Sequence, residues 1–237
     1  MKALLLAAGL GTRLRPITNT LPKCLVPIKG KPLLEYWLDN LSKIGINEFL
    51  INTHYFSEKV EEFVNASPYK DQITLIYEEQ LLNTAGTVLA NKNYFTKDEA
   101  FMLIHADNLS FCDYQAFINS HNNTKHPITM MLFNTNVPKS CGVVKLDNDN
   151  TVLEFHEKVE NPPSNLANGA VYICDYSIFD FLESLNKKEI DFSLDVIPKY
   201  LGKINTYLNS TYHKDIGTIK TYEEAQKDIL TIREING

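Results

Sequence analysis

A chain of 237 residues, 44% hydrophobic and 22% charged, is long enough for one sizeable core or two small ones and has the composition of an ordinary globular protein. Its formal charge of −6 excludes a general nucleic-acid surface, which needs a clustered basic excess, so any phosphate site must be positive only locally. No apolar run reaches the roughly eighteen residues that span a bilayer, only six apolar residues follow Lys2, and Cys24, Cys112, Cys141 and Cys174 form no Cys-x-x-Cys pair. The expectation is a cytoplasmic chain with reduced thiols, no zinc site, no signal peptide and no membrane contact.

The short apolar run from Lys2 to Ala7 reads as a buried parallel strand. It leads into Ala8-Gly9-Leu10-Gly11-Thr12-Arg13, where small residues leave backbone N–H groups approachable. A strand followed by such a turn is an anion cradle, and Arg13 and Lys23 add positive charge at its mouth. The expected guest is a polyphosphate. A plain strand-to-helix turn explains a lone Gly-x-Gly equally well; the Arg13, Pro22 and Lys23 that follow favour the cradle. A P-loop would end in Gly-Lys-Ser/Thr, but Thr12-Arg13 follows the second glycine. The dinucleotide fingerprint would place a third glycine where Leu14 stands.

Pro32 opens a helix over Leu33 to Leu41 that stops near Gly45. Glu48 to Asn52 is a strand, Ser57 caps a second helix, and Ile73 to Tyr77 is a third strand. Strand, helix, strand, helix, strand is the order of a right-handed parallel sheet, which binds ligands at the carboxyl ends of its strands.

The stretch Leu6-Ala-Ala-Gly-Leu-Gly-Thr-Arg-Leu14, followed by Pro22-Lys23, resembles the signature of the sugar-1-phosphate nucleotidyltransferases, the NDP-sugar pyrophosphorylases, which include the mannose-1-phosphate guanylyltransferases. The loop Glu78-Glu-Gln-Leu-Leu-Asn-Thr-Ala-Gly-Thr87 is similar to the segment that lies against the nucleotide base in that family, with Asn83 where a glycine is usual. Read alone, the same loop is a helix N-terminus capped by Thr84, the helix running from about Ala85.

Ala100 to Ala106 is an apolar strand ending in Asp107-Asn108. A carboxylate at the tip of a buried strand is costly unless hydrogen-bonded or bound to a cation, although a strand-end aspartate is more often a cap. His105 reads as a structural histidine. Tyr114 to His121 is a helix and Ile128 to Phe133 a strand; then Cys141 to Leu146, Thr151 to Glu157 and Leu166 to Cys174 follow as β segments, the first two joined by a turn at Asp147 to Asn150. Glu157-Lys158, Asn168-Gly169 and Gly142 resemble family positions around the sugar phosphate; alone, such pairs are usually solvated surface or a turn. Helices over Tyr176 to Ser184 and Phe192 to Pro198, the latter resembling a Phe-Ser-Leu-Glu piece through Ser193 and Asp195, precede a strand at Ile204 to Leu208. Tyr212-His-Lys-Asp-Ile-Gly-Thr218 resembles the Trp-x-Asp-Val/Ile-Gly-Thr-Pro motif, with His213 and Ile219 at the tryptophan and proline positions, and a helix to about Ile232 closes the chain.

The resemblance implies an α/β, Rossmann-like fold with a mixed, mainly parallel sheet flanked by helices, in a single domain whose residues 1–135 hold nucleotide and 136–237 sugar phosphate. With no hexapeptide repeats, no appended acyltransferase helix is expected. It implies catalysis by Arg13 and Lys23 and nucleotide binding by Leu6, Ala8, Gly9, Gly11, Thr12, Arg13, Glu78, Asn83, Thr84 and Ala85. Sugar phosphate would be held by Gly142, Glu157, Lys158 and Asn168, and Mg2+ by Asp107 and Asp215. The substrates it implies are a nucleoside triphosphate and a sugar 1-phosphate, best GTP with mannose- or heptose-1-phosphate. Thymidylyl, uridylyl or cytidylyl transfer and a catalytically silent regulatory subunit are the alternatives. Homo-oligomers fit the class, although no sequence patch establishes one.

Overall fold

The computed structural model describes residues 1–236. In chain order its strands are β1 (Ala3–Leu6), β2 (Pro27–Ile28), β3 (Lys31–Pro32), β4 (Phe49–Thr53), β5 (Ile73–Tyr77), β6 (Phe101–His105), β7 (Asn108–Phe111), β8 (Ile128–Asn134), β9 (Gly142–Leu146), β10 (Val152–Glu157), β11 (Leu166–Cys174), β12 (Ile204–Leu208) and β13 (Tyr212–Asp215). The helices are α1 (Leu33–Ser42), α2 (Ser57–Ala66), α3 (Asn83–Ala90), α4 (Tyr114–Asn122), α5 (Ile178–Ser184) and α6 (Ile219–Asn236). The expected α/β class with a mixed sheet and flanking helices holds, and the chain forms two compact units interleaved in sequence.

The first unit comprises Ala3–Gln80, His105–Cys112 and the chain from Thr211 onward. Its sheet is parallel: β4 pairs with β1 and β5, and Leu6, Asn52 and Ile76 stand in line across the three strands. All of β4 is buried, which suits a central strand read as a continuous apolar run. A core of Leu14, Val26, Ile28, Leu33, Tyr36, Leu109, Ile216, Ala225 and Ile229 packs α1 and α6 on the loop after β1. Two short pairings were not legible in the sequence, β2 with β3 and β7 with β13. Both join runs of two to four residues that are too short to show a period.

The second unit comprises Met1–Lys2, Leu81–Ile104 and Asp113–Ser210. Its organising strand is β11, antiparallel to β6, β8 and β9, with β10 beyond β9 and β12 parallel to β8. The expected turn joins β9 to β10, closed by the Asp147 N–H donating to Thr151 O at 3.0 Å. β11 breaks register against β8 between Asn168 and Tyr172, with Ala170 at φ +52°, a bulge that re-aims the side chains beside it. Phe95, Phe101 and Phe179 form the aromatic heart of the core, ring centroids 4.2 to 5.7 Å apart.

Three local expectations are corrected. Ser57 does not cap α2: Phe56 occupies the cap in a left-handed conformation, with no side-chain bond. Thr84 does not cap α3, because the Ala85 and Gly86 N–H groups are satisfied by Ile190 O and the Thr84 hydroxyl bonds elsewhere. Phe192 to Pro198 is not an α-helix but a π turn, Phe192–Val196, followed by a 3-10 turn over Ile197–Lys199, where Pro198 has no N–H to continue a helix. Among the described residues no helix is long and apolar enough to cross a membrane.

Candidate active site

The loop after β1 turns sharply at Gly11. Gly11 has φ +61°, its carbonyl accepts the Thr18 hydroxyl at 2.7 Å and the Leu14 N–H at 3.0 Å, and a β-carbon there would meet Thr18 Cγ2 at 3.0 Å. Glycine is therefore required by both conformation and space. Nothing lies within 4 Å of where a Gly9 side chain would be, so the room beside it is open. Ala8 is buried, and Gly9, Thr12 and Arg13 are exposed.

The carboxyl ends of the three parallel strands are tied together by Asn52, which sequence reasoning passed over as the last residue of an apolar strand. Its Oδ1 accepts the Ala7 N–H at 2.7 Å, and its Nδ2 donates to Glu78 Oε1 at 3.1 Å. The Glu78 N–H donates to Thr53 O at 2.9 Å, and His54 Nδ1 to Glu78 O at 2.7 Å. Glu78 is buried, so its carboxylate needs this partner to remain inside.

Lys23 opens a 3-10 turn and is 7% exposed. Its ammonium donates to Asp107 Oδ2 at 2.6 Å and Asp215 Oδ1 at 3.0 Å. Asp107 lies in the turn between β6 and β7, and Asp215 ends β13 opposite Asn108, with the Ile216 N–H donating to Asp107 O at 3.3 Å. The pairing of β7 with β13 is thus what brings the two carboxylates to one place. A β-carbon on Gly217 would fall 2.6 Å from Asp215 Oδ2 and 3.3 Å from Arg13 Nη2, which sets the guanidinium on the Asp215 side of the pair.

Burial works to lower the Lys23 pKa, but Asp107 and Asp215 outweigh it and hold the ammonium above its usual range. Burial likewise works to raise Asp107, and Lys23 with His105 outweighs it, leaving the carboxyl below the usual range. Both groups are charged at neutral pH. Burial pushes the adjacent Cys24 thiol up to about 12, so it stays protonated, and desolvation pushes His213 down to about 4, so it is neutral. Among the described residues no cluster of three or more His, Cys, Asp or Glu side chains forms a metal site. Two carboxylates converging on one cation are nevertheless a donor set that suits Mg2+, which takes one or two carboxylates and completes its shell with water and phosphate oxygens.

The remaining candidates belong to the second unit. Asn83 opens α3 with φ +61°, a conformation that asparagine tolerates best after glycine. Thr84 is half-buried and Ala85 buried. Gly142, Glu157, Lys158 and Asn168 gather around the β9–β10 pair and β11: Glu157 stands opposite Gly142, and a β-carbon on Gly142 would meet Glu157 Oε2 at 2.5 Å and Phe155 Cζ at 2.6 Å. Lys158 Nζ lies 2.8 Å from Glu157 Oε1 and is 63% exposed, open to an incoming anion. Asn168 donates from Nδ2 to the Tyr172 phenol oxygen at 2.6 Å, and its Oδ1 accepts the Ala170 N–H at 2.9 Å. Tyr172 was not legible as part of a site because it reads as an ordinary core aromatic.

The nucleotidyl transferase family model matches residues 2–232. A mannose-1-phosphate guanylyltransferase of Mycobacterium tuberculosis is 29% identical over 233 residues, 96% of this chain and 64% of that protein. A D-glycero-alpha-D-manno-heptose 1-phosphate guanylyltransferase of Aneurinibacillus thermoaerophilus is 32% identical over 233 residues, 97% of this chain and 98% of that protein. The crystal structure of HddC from Yersinia pseudotuberculosis complexed with GMP-PN superposes with a TM-score of 0.81 at 25% identity, covering 96% of this chain and 99% of that one. The chain spans 64% of the length of the mycobacterial relative and under half of several others.

Proposed function

The chain belongs to the nucleotidyl transferase family, and from that membership and the carboxylate pair around Lys23 we propose that it is a sugar-1-phosphate nucleotidyltransferase. An oxygen of the sugar 1-phosphate attacks the α-phosphorus of a nucleoside triphosphate. The bond from that phosphorus to the bridging oxygen of the β-phosphate breaks, and pyrophosphate leaves with the electron pair. The nucleophile is already an anion at pH 7, so the protein's task is positioning and charge neutralisation.

In this reading the amides of Ala8 to Thr12 and the Arg13 guanidinium bind the β- and γ-phosphates, and Leu6, Glu78, Asn83 and Ala85 belong to the nucleoside side, with Thr84 in the same loop. Lys23 neutralises the α-phosphate and the charge that develops on it. Lys158 holds the sugar phosphate, with Glu157 and Asn168 on sugar hydroxyls and Gly142 beside the sugar. Asp107 and Asp215 would hold Mg2+, whose contribution when bound is neutralisation of phosphate charge. Cytoplasmic residence belongs to the same proposal.

The observation that carries the reading is the meeting of Asp107 and Asp215, distant in sequence, on the Lys23 ammonium. Support for GTP with mannose- or heptose-1-phosphate comes from the two guanylyltransferase relatives, one matched over almost its whole length. The test is a matrix of GTP, ATP, CTP, UTP and dTTP against mannose-, glucose-, glucosamine- and heptose-1-phosphate with Mg2+, read by mass spectrometry. GDP-mannose or GDP-heptose is the expected product. Another NDP-sugar would reassign the substrate, and no product in any well would leave a silent binding subunit as the better reading.

A further inference from the structure

Thr84 stands in the loop that the proposed function lays on the nucleoside side, yet its hydroxyl is committed elsewhere: Oγ1 accepts the Phe192 backbone N–H at 2.7 Å. Around that bond the two segments are zipped by their backbones. The Ile190 N–H donates to Leu82 O at 3.1 Å, and the Ala85 and Gly86 N–H groups both donate to Ile190 O, at 2.9 and 3.0 Å. The segment from Ile190 to Ser193 is therefore held by the first turn of α3. Its side chains reach β11: the Phe192 ring packs on Tyr172 with centroids 4.4 Å apart. Tyr172 is buried, and its phenol oxygen accepts Asn168 Nδ2 at 2.6 Å. With Oδ1 taken by the Ala170 N–H at 2.9 Å, both ends of the Asn168 amide are set.

We propose that Thr84 is a positioning residue for the sugar-phosphate partner rather than a nucleotide contact: through Phe192 and Tyr172 it fixes the Asn168 side chain. The proposal rests on the reading of Asn168 as a sugar contact. Its physical content is a run of hydrogen bonds and one ring contact, all inside one compact unit, in which each group's placement depends on the previous one. Valine at position 84 keeps the shape of threonine but leaves the Phe192 N–H without its acceptor, whereas serine keeps the oxygen.

The test compares Thr84→Val, Thr84→Ser and Tyr172→Phe by steady-state kinetics with each substrate varied in turn. Thr84→Val and Tyr172→Phe should each raise KM for the sugar 1-phosphate about tenfold and leave KM for the triphosphate within about twofold, with Thr84→Ser close to wild type. The double variant should be no worse than either single one, since both break the same connection. A rise in the triphosphate KM instead, or a Thr84→Ser variant as impaired as Thr84→Val, overturns the proposal. Tyr172→Phe carries the test alone if Thr84→Val does not fold. A second readout is independent of the reaction: the Asn168 side-chain amide resonances of 15N-labelled protein should shift in Thr84→Val and stay in Thr84→Ser. If wild type makes no NDP-sugar at all, the functional reading fails, while unmoved Asn168 resonances in Thr84→Val would refute the positioning role by itself.

Discussion

Replacing Lys23 by methionine removes the ammonium on which Asp107 and Asp215 converge and leaves a chain of similar length. The two bonded oxygens lie 2.6 and 3.0 Å from Nζ, so they are no more than 5.6 Å apart, the sum of those distances. Two unit charges at that separation repel by about 3 kcal/mol at an effective dielectric constant of about 20. The Asp215 side chain is 55% exposed, so water and salt screen more than half of this. The variant should be about 1 to 2 kcal/mol less stable than wild type in metal-free buffer near pH 7. The folded-state pKa of Asp107 is depressed, so its contribution is complete above the unfolded value of about 3.9 and is lost as pH falls through the folded value. The Lys23 pKa is raised, so its contribution is complete below about 10.4 and is lost only as strongly alkaline pH passes the folded value. The gap between the proteins should therefore be flat across neutral pH and close below about pH 4. Urea titrations in a chelator at pH 7 and pH 3 measure it, and added Mg2+ should stabilise the variant more than wild type. Equal stability at pH 7, or a gap unchanged at pH 3, would refute the electrostatic account.

Other substitutions separate the proposed roles. Asp107→Ala should cut turnover more than a thousandfold, about 4 kcal/mol of barrier, with an unchanged circular dichroism spectrum; activity above about one per cent would end the metal-ligand assignment. Gly142→Ala must displace Glu157 or Phe155, whose nearest atoms would lie 2.5 and 2.6 Å from the new carbon, so KM for the sugar 1-phosphate should rise about tenfold while the triphosphate KM holds. Gly11→Ala forces a β-carbon into a left-handed residue and against Thr18, and a loss of about 1 to 2 kcal/mol should be visible in a denaturant melt.

What the sequence determined by itself is local. Apolar runs of four to nine residues announced most strands, and Ile73–Tyr77, Leu166–Cys174 and Ile204–Leu208 form over the same residues that the pattern marked. The glycine turn after β1 was marked by its composition, because a left-handed residue packed against Thr18 calls for glycine. The tertiary structure decided what depends on partners far along the chain. β7 and β13 are too short to announce themselves, yet their pairing places Asp215 beside Asp107; Asn52 lies inside an apolar strand, one residue from its end, yet it ties three strand ends together. Thr84 and Ser57 looked like caps because hydroxyls next to helix starts usually are, but the amides at the start of α3 found a carbonyl from the segment around Ile190, and α2 begins without a side-chain bond. Periodicity and turn chemistry report the preferences of neighbouring residues, whereas a hydrogen bond goes to whichever partner the completed fold brings within about 3 Å.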